Sequence, residues 1–195
     1  MDKNEEDIIL VRKCLNGNND AFAELVNKYK LQVYNLAYRL LGNREEAKDV
    51  AQEAFFRAYR SLSKYKITYS FFTWIYTISI NVCRNHLKDN KKMQMVSFES
   101  SSNMEEDNYE MPIASDDLTP EETLHKKRND AIVQRIINQL PKKYRVVVVL
   151  KYIHGLQYNE IANIVNLPLG TVKIQIHRAR KVLKELWEEE TKNNF

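Results

Sequence analysis

The chain has 195 residues, 44% of them hydrophobic and 29% charged, with a net charge of +4. That is enough apolar material for two small cores or one larger one, and it excludes wholesale disorder. No apolar run nears the roughly 20 residues that cross a membrane, and the polar start MDKNEED lacks signal-peptide character, so a cytoplasmic protein without membrane insertion is expected.

Taken in order, Ile8, Val11 and Leu15 form a short helical stripe that Asn16-Gly17-Asn18-Asn19 ends. Asp20 is then placed to cap a helix carrying Phe22, Leu25, Val26 and Tyr29, continued by Val33, Leu36, Ala37 and Leu40 towards Gly42. Asn43 with Glu46 three residues on reads as a capping box. Behind it Ala47, Val50, Ala51, Ala54, Phe55, Ala58, Tyr59 and Leu62 keep three-four spacing without a miss. The outer side of that helix carries Asp49, Gln52, Glu53 and Phe56, and a large exposed aromatic beside acids points to a partner surface.

From Lys64 to Lys88 six aromatics crowd together behind lysines: Tyr65, Tyr69, Phe71, Phe72, Trp74 and Tyr76. Helical spacing assigns Phe71, Trp74, Ile75, Ile78 and Val82 to a core face. The aromatics left over, Phe72 and Tyr76, are then free to stack on unpaired bases. Residues from about 90 to 122 are rich in Ser, Asn and acids and poor in apolar side chains, which predicts a flexible tether. Its nine acids, with no Lys or Arg between Lys92 and Lys126, leave +13 on the rest of the chain, a balance suited to a polyanion partner.

A second helical unit is expected from Thr123, with Ile132, Val133, Ile136, Ile137 and Leu140 inward and Pro141 opening the next helix. Val146 to Leu150 suits a strand by propensity, but helices on both sides and no partner strand favour a buried helix that Gly155 closes. Next comes YNEIANIVNLPLGTVKIQIHRAR, Tyr158 to Arg180, two short helices around a turn. Ile161, Ala162 and Val165 face inward, Asn166, Leu167 and Pro168 break the first helix, and Thr171 is placed to cap the second. On the second helix Val172, Ile176, Ala179, Leu183 and Leu186 fall on a packed side. The other side carries Lys173, Ile174, His177, Arg178 and Lys181, so one apolar side chain lies among four donors, as a reader of thymine methyls and base edges requires.

Nothing in the sequence carries bond chemistry. Only four Gly are present, no phosphate-binding loop occurs, the four His have no partners at ligand spacing, and Cys14 and Cys83 are too far apart to suggest a zinc site or thiol pair. Neither an enzyme nor a cofactor or metal requirement is expected.

Together the motifs resemble the sigma factors of bacterial RNA polymerase, of the sigma-70 family and specifically the extracytoplasmic-function type. GNREEAKDVAQEAFFRAY at Gly42 to Tyr59 is similar to the family's polymerase-binding helix, and FFTWIYTISINVCRNHL at Phe71 to Leu87 to its minus-ten helix. LPKKYRVVVVLKYIHGLQYNEIANIVNLPLGTVKIQIHRARK at Leu140 to Lys181 is similar to the minus-thirty-five domain.

The resemblance implies an all-α protein of two helical domains, residues 1–90 of the region 2 type and 123–195 of the region 4 helix-turn-helix type, joined by an acidic linker over 91–122. It implies that Asp49, Gln52, Glu53 and Phe56 grip the clamp helices of core RNA polymerase, with a further contact at the flap. It assigns the melted minus-ten strand to Lys64, Tyr65, Lys66, Tyr69, Phe72, Trp74, Tyr76, Asn81, Arg84 and Asn85, with the loop before Phe71 capturing a flipped base. It gives phosphates to Lys151, Tyr158 and Thr171 and base edges to Lys173, Ile174, His177 and Arg178, with Gln175 and Lys181 also on the minus-thirty-five DNA. An anti-sigma factor, a role in stress response and a linker lying in a basic polymerase channel are also implied. The chain departs from the pattern at Ile67-Thr68, at Phe72, Thr77 and Ile80 where the family carries basic residues, at Asn85, at Asn166 in place of the turn Gly, and at Ile174-Gln175 in place of Ser-Arg. A stand-alone operator-binding regulator is the alternative, and an RNA-binding or scaffolding adaptor a more distant one.

Overall fold

The computed structural model describes residues 3–96 and 120–193, so most of the expected tether lies outside the described residues. Eight α-helices are described: α1 (Lys3–Leu15), α2 (Asn19–Leu41), α3 (Arg44–Arg60), α4 (Phe71–Val96), α5 (Pro120–Gln139), α6 (Lys142–Val148), α7 (Tyr158–Val165) and α8 (Leu169–Asn193). A 3-10 turn at Leu62–Lys64 precedes α4, and a π-helical turn at Val149–Ile153 continues α6. The helical backbone therefore runs past both limits expected for the linker, to Val96 on one side and from Pro120 on the other.

The first four helices pack as one bundle. Asn18, not Asp20, caps α2, its side-chain oxygen accepting from the Ala21 N–H at 3.3 Å. Asp20 falls instead in the first turn, where its charge meets the positive end of the helix dipole. The helix ends at Gly42, whose φ of 79° is left-handed and whose N–H bonds the Tyr38 carbonyl at 2.8 Å. Asp7, 1% exposed, pins α1 to α2 by accepting from both Lys28 Nζ and the Tyr29 hydroxyl. In α3 the Asn43 side chain accepts from the Glu46 N–H at 3.0 Å, whereas the Glu46 carboxylate lies 3.4 Å from His86 Nε2 on α4. Ala47, Ala54 and Ala58 are fully buried, and such small side chains let α3 approach its neighbours closely. Tyr59, expected inward, is 44% exposed at the rim, its ring edge-on to Phe22 and its hydroxyl on Asn19.

Helix α4 has two buried sides. Phe71, Ile75 and Val82 are at most 5% exposed and share one stripe. Tyr76, Ile80 and Cys83, also at most 1% exposed, share another about 140° around the axis at 100° per residue. The expectation that Tyr76 is free to stack on bases is thereby overturned: it is fully buried, because α4 packs on α7 as well as on α1, α2 and α3. Trp74 and Ile78, expected in the core, are only partly buried. Cys14 and Cys83 are both buried free thiols, and burial pushes the Cys83 thiol up to about 12.

In the C-terminal half Val146–Leu150 is helical, with Val147, Val148, Val149 and Leu150 at most 3% exposed. A stretch buried on all sides needs no alternation, so β-branched content does not force a strand. Gly155 at φ 69° ends it. Asn166 sits at φ 53° and ψ 53° and closes α7 in the left-handed conformation, the role expected of it.

The two halves dock directly. The Tyr76 hydroxyl lies 2.9 Å from His154 Nδ1. Arg39 on α2 donates to Asp130 Oδ1 at 3.0 Å and to Gln134 Oε1 at 3.2 Å, both on α5. Arg145 on α6 donates to the Leu40 carbonyl at 3.0 Å and to the Asn138 carbonyl, placing a cation on the open carbonyl ends of α2 and α5.

Two outcomes follow from these conformations. Asn166→Gly keeps the left-handed turn and should leave the unfolding midpoint nearly unchanged, whereas Asn166→Val should cost about 1–2 kcal/mol, read by denaturant unfolding. Burial, and secondarily Arg39, hold the His154 imidazole neutral with its pKa lowered to about 4. The native state then binds fewer protons than the unfolded chain, so this contribution to stability is complete above about pH 6.5 and declines as the pH falls through about 4. His154→Gln should flatten the pH dependence of thermal unfolding across that window; an unchanged slope would mean that the imidazole is solvated.

Candidate nucleic-acid interface

Three surfaces carry the side chains singled out by the sequence. The first is helix α8. It begins at Leu169, directly after Pro168, whose carbonyl accepts from the Val172 N–H at 3.1 Å. That bond closes the first turn, so the helix starts two residues before Thr171, which lies in the first turn rather than at the cap. Val172, Ile176 and Ala179 are at most 1% exposed and anchor the inner side. That packing turns Lys173, Ile174, His177, Arg178 and Lys181 outward, with Ile174 54% exposed among the four donors. Gln175 is only partly exposed, at the margin of the face.

Helix α7 packs against both α8 and α4, and its Ile161, Ile164 and Val165 are all at most 5% exposed. Its N-terminus is held by Glu160, whose carboxylate accepts the Gln157 N–H at 2.7 Å. Lys151 is partly buried: its ammonium donates to the Leu156 carbonyl at 3.1 Å and lies 4.9 Å from the centre of the Tyr158 ring. Only part of its donor capacity is left for a phosphate, because an ammonium has three N–H groups and one is used at home. Arg180 was not singled out, yet it is exposed beside this group, with Nε and Nη2 donating to the Tyr152 hydroxyl at 3.2 and 3.1 Å. It falls about 20° from Lys173 on the helical wheel, and that i, i+7 relation is the signal that could have found it.

The second surface is the segment ahead of α4 with the outer side of that helix. The Tyr65 hydroxyl donates to the Tyr69 carbonyl at 2.7 Å, closing the chain from Tyr65 to Tyr69 into a bow. The Tyr65 ring is anchored 5.2 Å from Trp74 and 6.0 Å from Phe71, so the bow is fixed to the helix it precedes. Ser70 Oγ accepts from the Thr73 N–H at 3.1 Å and caps α4. Lys64, Lys66, Ile67, Thr68 and Tyr69 all point to solvent, Ile67 at 50% and Tyr69 at 52% exposure. Asn81, Arg84 and Asn85 are exposed on the side of α4 that Trp74 and Thr77 share. Phe72 is partly buried, with its ring 4.1 Å from Tyr76 and 6.2 Å from Tyr29, and Tyr76 lies beneath it.

The third surface is the outer side of α3. Asp49, Gln52 and Phe56 are exposed, Phe56 at 55% with the Arg60 guanidinium over its ring. Glu53 pairs with Arg57 at 2.6 Å. With Val26 and Lys30 of α2 these residues line a shallow groove. Among the described residues no cluster of three His, Cys, Asp or Glu side chains has the geometry of a metal site, and no helix is long and apolar enough to cross a membrane.

The known proteins agree with this arrangement. Residues 25–93 match Sigma-70 region 2 and residues 130–183 match Sigma-70, region 4. The chain is 39% identical over 175 residues to the ECF RNA polymerase sigma factor SigW of Bacillus subtilis, covering 90% of this chain and 93% of that one. It is 34% identical over 178 residues to the ECF RNA polymerase sigma-E factor of Escherichia coli, covering 91% and 92%. Among solved structures, CnrH in complex with the cytosolic domain of CnrY shares the fold with a TM-score of 0.69 at 22% identity, covering 94% of this chain and 98% of that one. The chain therefore belongs to the sigma-70 family as an extracytoplasmic-function sigma factor, a transcription initiation factor that binds core RNA polymerase and promoter DNA.

Proposed function

We propose that this sigma factor divides promoter recognition between its two halves. Lys173, Ile174, Gln175, His177 and Arg178 on α8 read the minus-thirty-five duplex, while Lys181, Tyr158, Thr171 and the residual capacity of Lys151 hold phosphates. The observation that carries this reading is Ile174: an apolar side chain 54% exposed inside a ring of cations fits a thymine methyl in the major groove better than it fits water.

The bow from Lys64 to Tyr69 and the outer side of α4, with Trp74, Asn81, Arg84 and Asn85, hold the melted minus-ten strand. Ile67 and Tyr69 offer apolar and aromatic surface to an extruded base, and stacking of that kind contributes about 1–3 kcal/mol per base. Asp49, Gln52, Glu53 and Phe56 on α3 grip the clamp helices of core polymerase, with Phe56 as the anchor at the groove. The protein itself carries out no bond chemistry, needs no cofactor and works in the cytoplasm beside the polymerase. A similar solved structure is a sigma factor RpoE with the anti-sigma factor NepR from Bartonella quintana, and we extend an anti-sigma partner to this chain.

Run-off transcription of genomic fragments by purified core polymerase, with and without the protein, tests the reading. New start sites that depend on the protein are expected, and their absence would reject it. Arg178→Ala should cost about 1–3 kcal/mol on cognate sites and relax one minus-thirty-five position, whereas Lys181→Ala should weaken all sequences alike and reduce the salt slope by about 1. Equal losses on every sequence for Arg178→Ala would remove it from base reading. Phe56→Ala and Asp49→Lys should weaken core binding by at least tenfold, measured by fluorescence anisotropy, while leaving thermal stability near wild type. Normal core affinity in both would place the polymerase face elsewhere.

A further inference from the structure

We infer that Asp7 of α1 is a positioning residue for strand capture: through Tyr29 and Phe71 it sets where the bow from Lys64 to Tyr69 stands. The consequence rests on the minus-ten reading proposed above, and the linkage on contacts alone.

Asp7 is a buried carboxylate that none of the three surfaces uses, 1% exposed and accepting from the Tyr29 hydroxyl and from Lys28 Nζ. As a joint between two helices it is costly, because apolar side chains of similar volume hold helices together without desolvating a charge. What the carboxylate adds is direction. A charge-assisted hydrogen bond fixes the Tyr29 hydroxyl at one point, and with it the ring that carries the hydroxyl. Lys28 pairs with the same carboxylate, so no bare negative charge lies beneath a surface that takes a polyanion.

From the Tyr29 ring the contacts lead to the bow. That ring lies 5.6 Å from Phe71 and 6.2 Å from Phe72. Phe71 is the first residue of α4, where the bow ends, and it is fully buried. At the start of the bow the Tyr65 ring meets Phe71 edge-on at 6.0 Å. Both ends of the bow thus rest on Phe71, and Phe71 rests on Tyr29.

The bow's own hydrogen bonds, from the Tyr65 hydroxyl to the Tyr69 carbonyl and from the Tyr69 N–H to the Lys66 carbonyl at 3.3 Å, close it on itself without tying it to the bundle. The rings carry that attachment. Asp7 also reaches Tyr65 through space: burial first, and then the Asp7 carboxylate, push the Tyr65 phenol up. Helix α1 packs as well on Leu62–Lys64, the turn that leads into the bow. A group that receives a base works only when held to within about 0.5 Å. Ile67 and Tyr69, half exposed, take their place from the bow they stand on.

The test uses full-length chains carrying Trp187→Phe, which leaves Trp74, 5.2 Å from Tyr65, as the one tryptophan. Asp7→Ala, and Tyr29→Phe, which keeps the ring and removes the hydroxyl, should both raise acrylamide quenching of Trp74. Asp7→Asn, whose carboxamide oxygen still accepts the Tyr29 hydroxyl, should restore it. In complex with core polymerase, Asp7→Ala should weaken binding of a single-stranded oligonucleotide, selected on wild type from a random pool, by roughly 5- to 20-fold, a share of what stacking on one base supplies. Core affinity should not change. An abasic site at the position where wild type loses most should cost Asp7→Ala less than wild type, a non-additivity that lowered stability alone does not produce. Unchanged Trp74 quenching in both Asp7→Ala and Tyr29→Phe, or equal abasic losses in Asp7→Ala and wild type, would overturn the positioning role. If wild-type holoenzyme selects no single strand while quenching still follows Asp7, the minus-ten reading falls and the linkage stands.

Discussion

A helix that is buried on two sides constrains everything around it. Helix α4 buries one stripe, Phe71, Ile75 and Val82, and a second, Tyr76, Ile80 and Cys83, from which Tyr76 meets His154 of the helix-turn-helix half. The remaining side, marked by Thr77, Asn81, Arg84 and Asn85, is the one open to solvent. Ser79, between the stripes, is satisfied within the helix, its Oγ donating to the Ile75 carbonyl at 2.7 Å, and on the open side Thr77 Oγ1 donates to the Thr73 carbonyl at 2.8 Å. Neither hydroxyl therefore adds an unsatisfied group to the burial of the helix.

The functional surfaces are set by elements that are themselves buried. Val172, Ile176 and Ala179 fix the rotation of α8 and so decide that Ile174 and Arg178 face outward; a change in any of these would tilt that outer face without touching it. Tyr65 plays the same part for the bow before α4. Its hydroxyl is spent on the Tyr69 carbonyl and its ring on Trp74, so it shapes the surface that Ile67 and Tyr69 present. Lys151 likewise lies over Tyr158 and ties back to Leu156, so it supports the turn into α7 as much as it offers charge.

Most of this was legible wherever one period dominated. The buried residues of α2, α3 and α8 each keep to one stripe, so a wheel at 100° per residue recovers them, and the left-handed turn at Asn166 follows from residue chemistry alone. Tyr76 was not legible in the same way. Phe72, Tyr76, Ile80 and Cys83 repeat at intervals of four, four and three, a full helical stripe. With Phe71, Trp74, Ile75, Ile78 and Val82 assigned to the core, however, Phe72 and Tyr76 read as surplus aromatics for bases. A wheel has no term for a second partner distant in sequence, and His154, 78 residues away, supplies it. The caps at Asn18 and Pro168 were each misplaced by two or three residues for a smaller reason: several polar or turn-forming residues stand at those helix starts, and local sequence does not rank them.

Whether the two halves are closed in the free chain and parted on a promoter can be measured directly. Spin labels at Gln32 on α2 and Lys184 on α8, in a chain with Cys14 and Cys83 replaced by Ala, report the separation by pulsed dipolar spectroscopy. Two packed domains of about 30 Å each predict a single narrow distribution below about 45 Å for the free protein. Core polymerase and promoter DNA should move it beyond about 50 Å, as elements about 70 Å apart require. A broad, long distribution in the free chain, or a distance unchanged in the complex, would contradict the account.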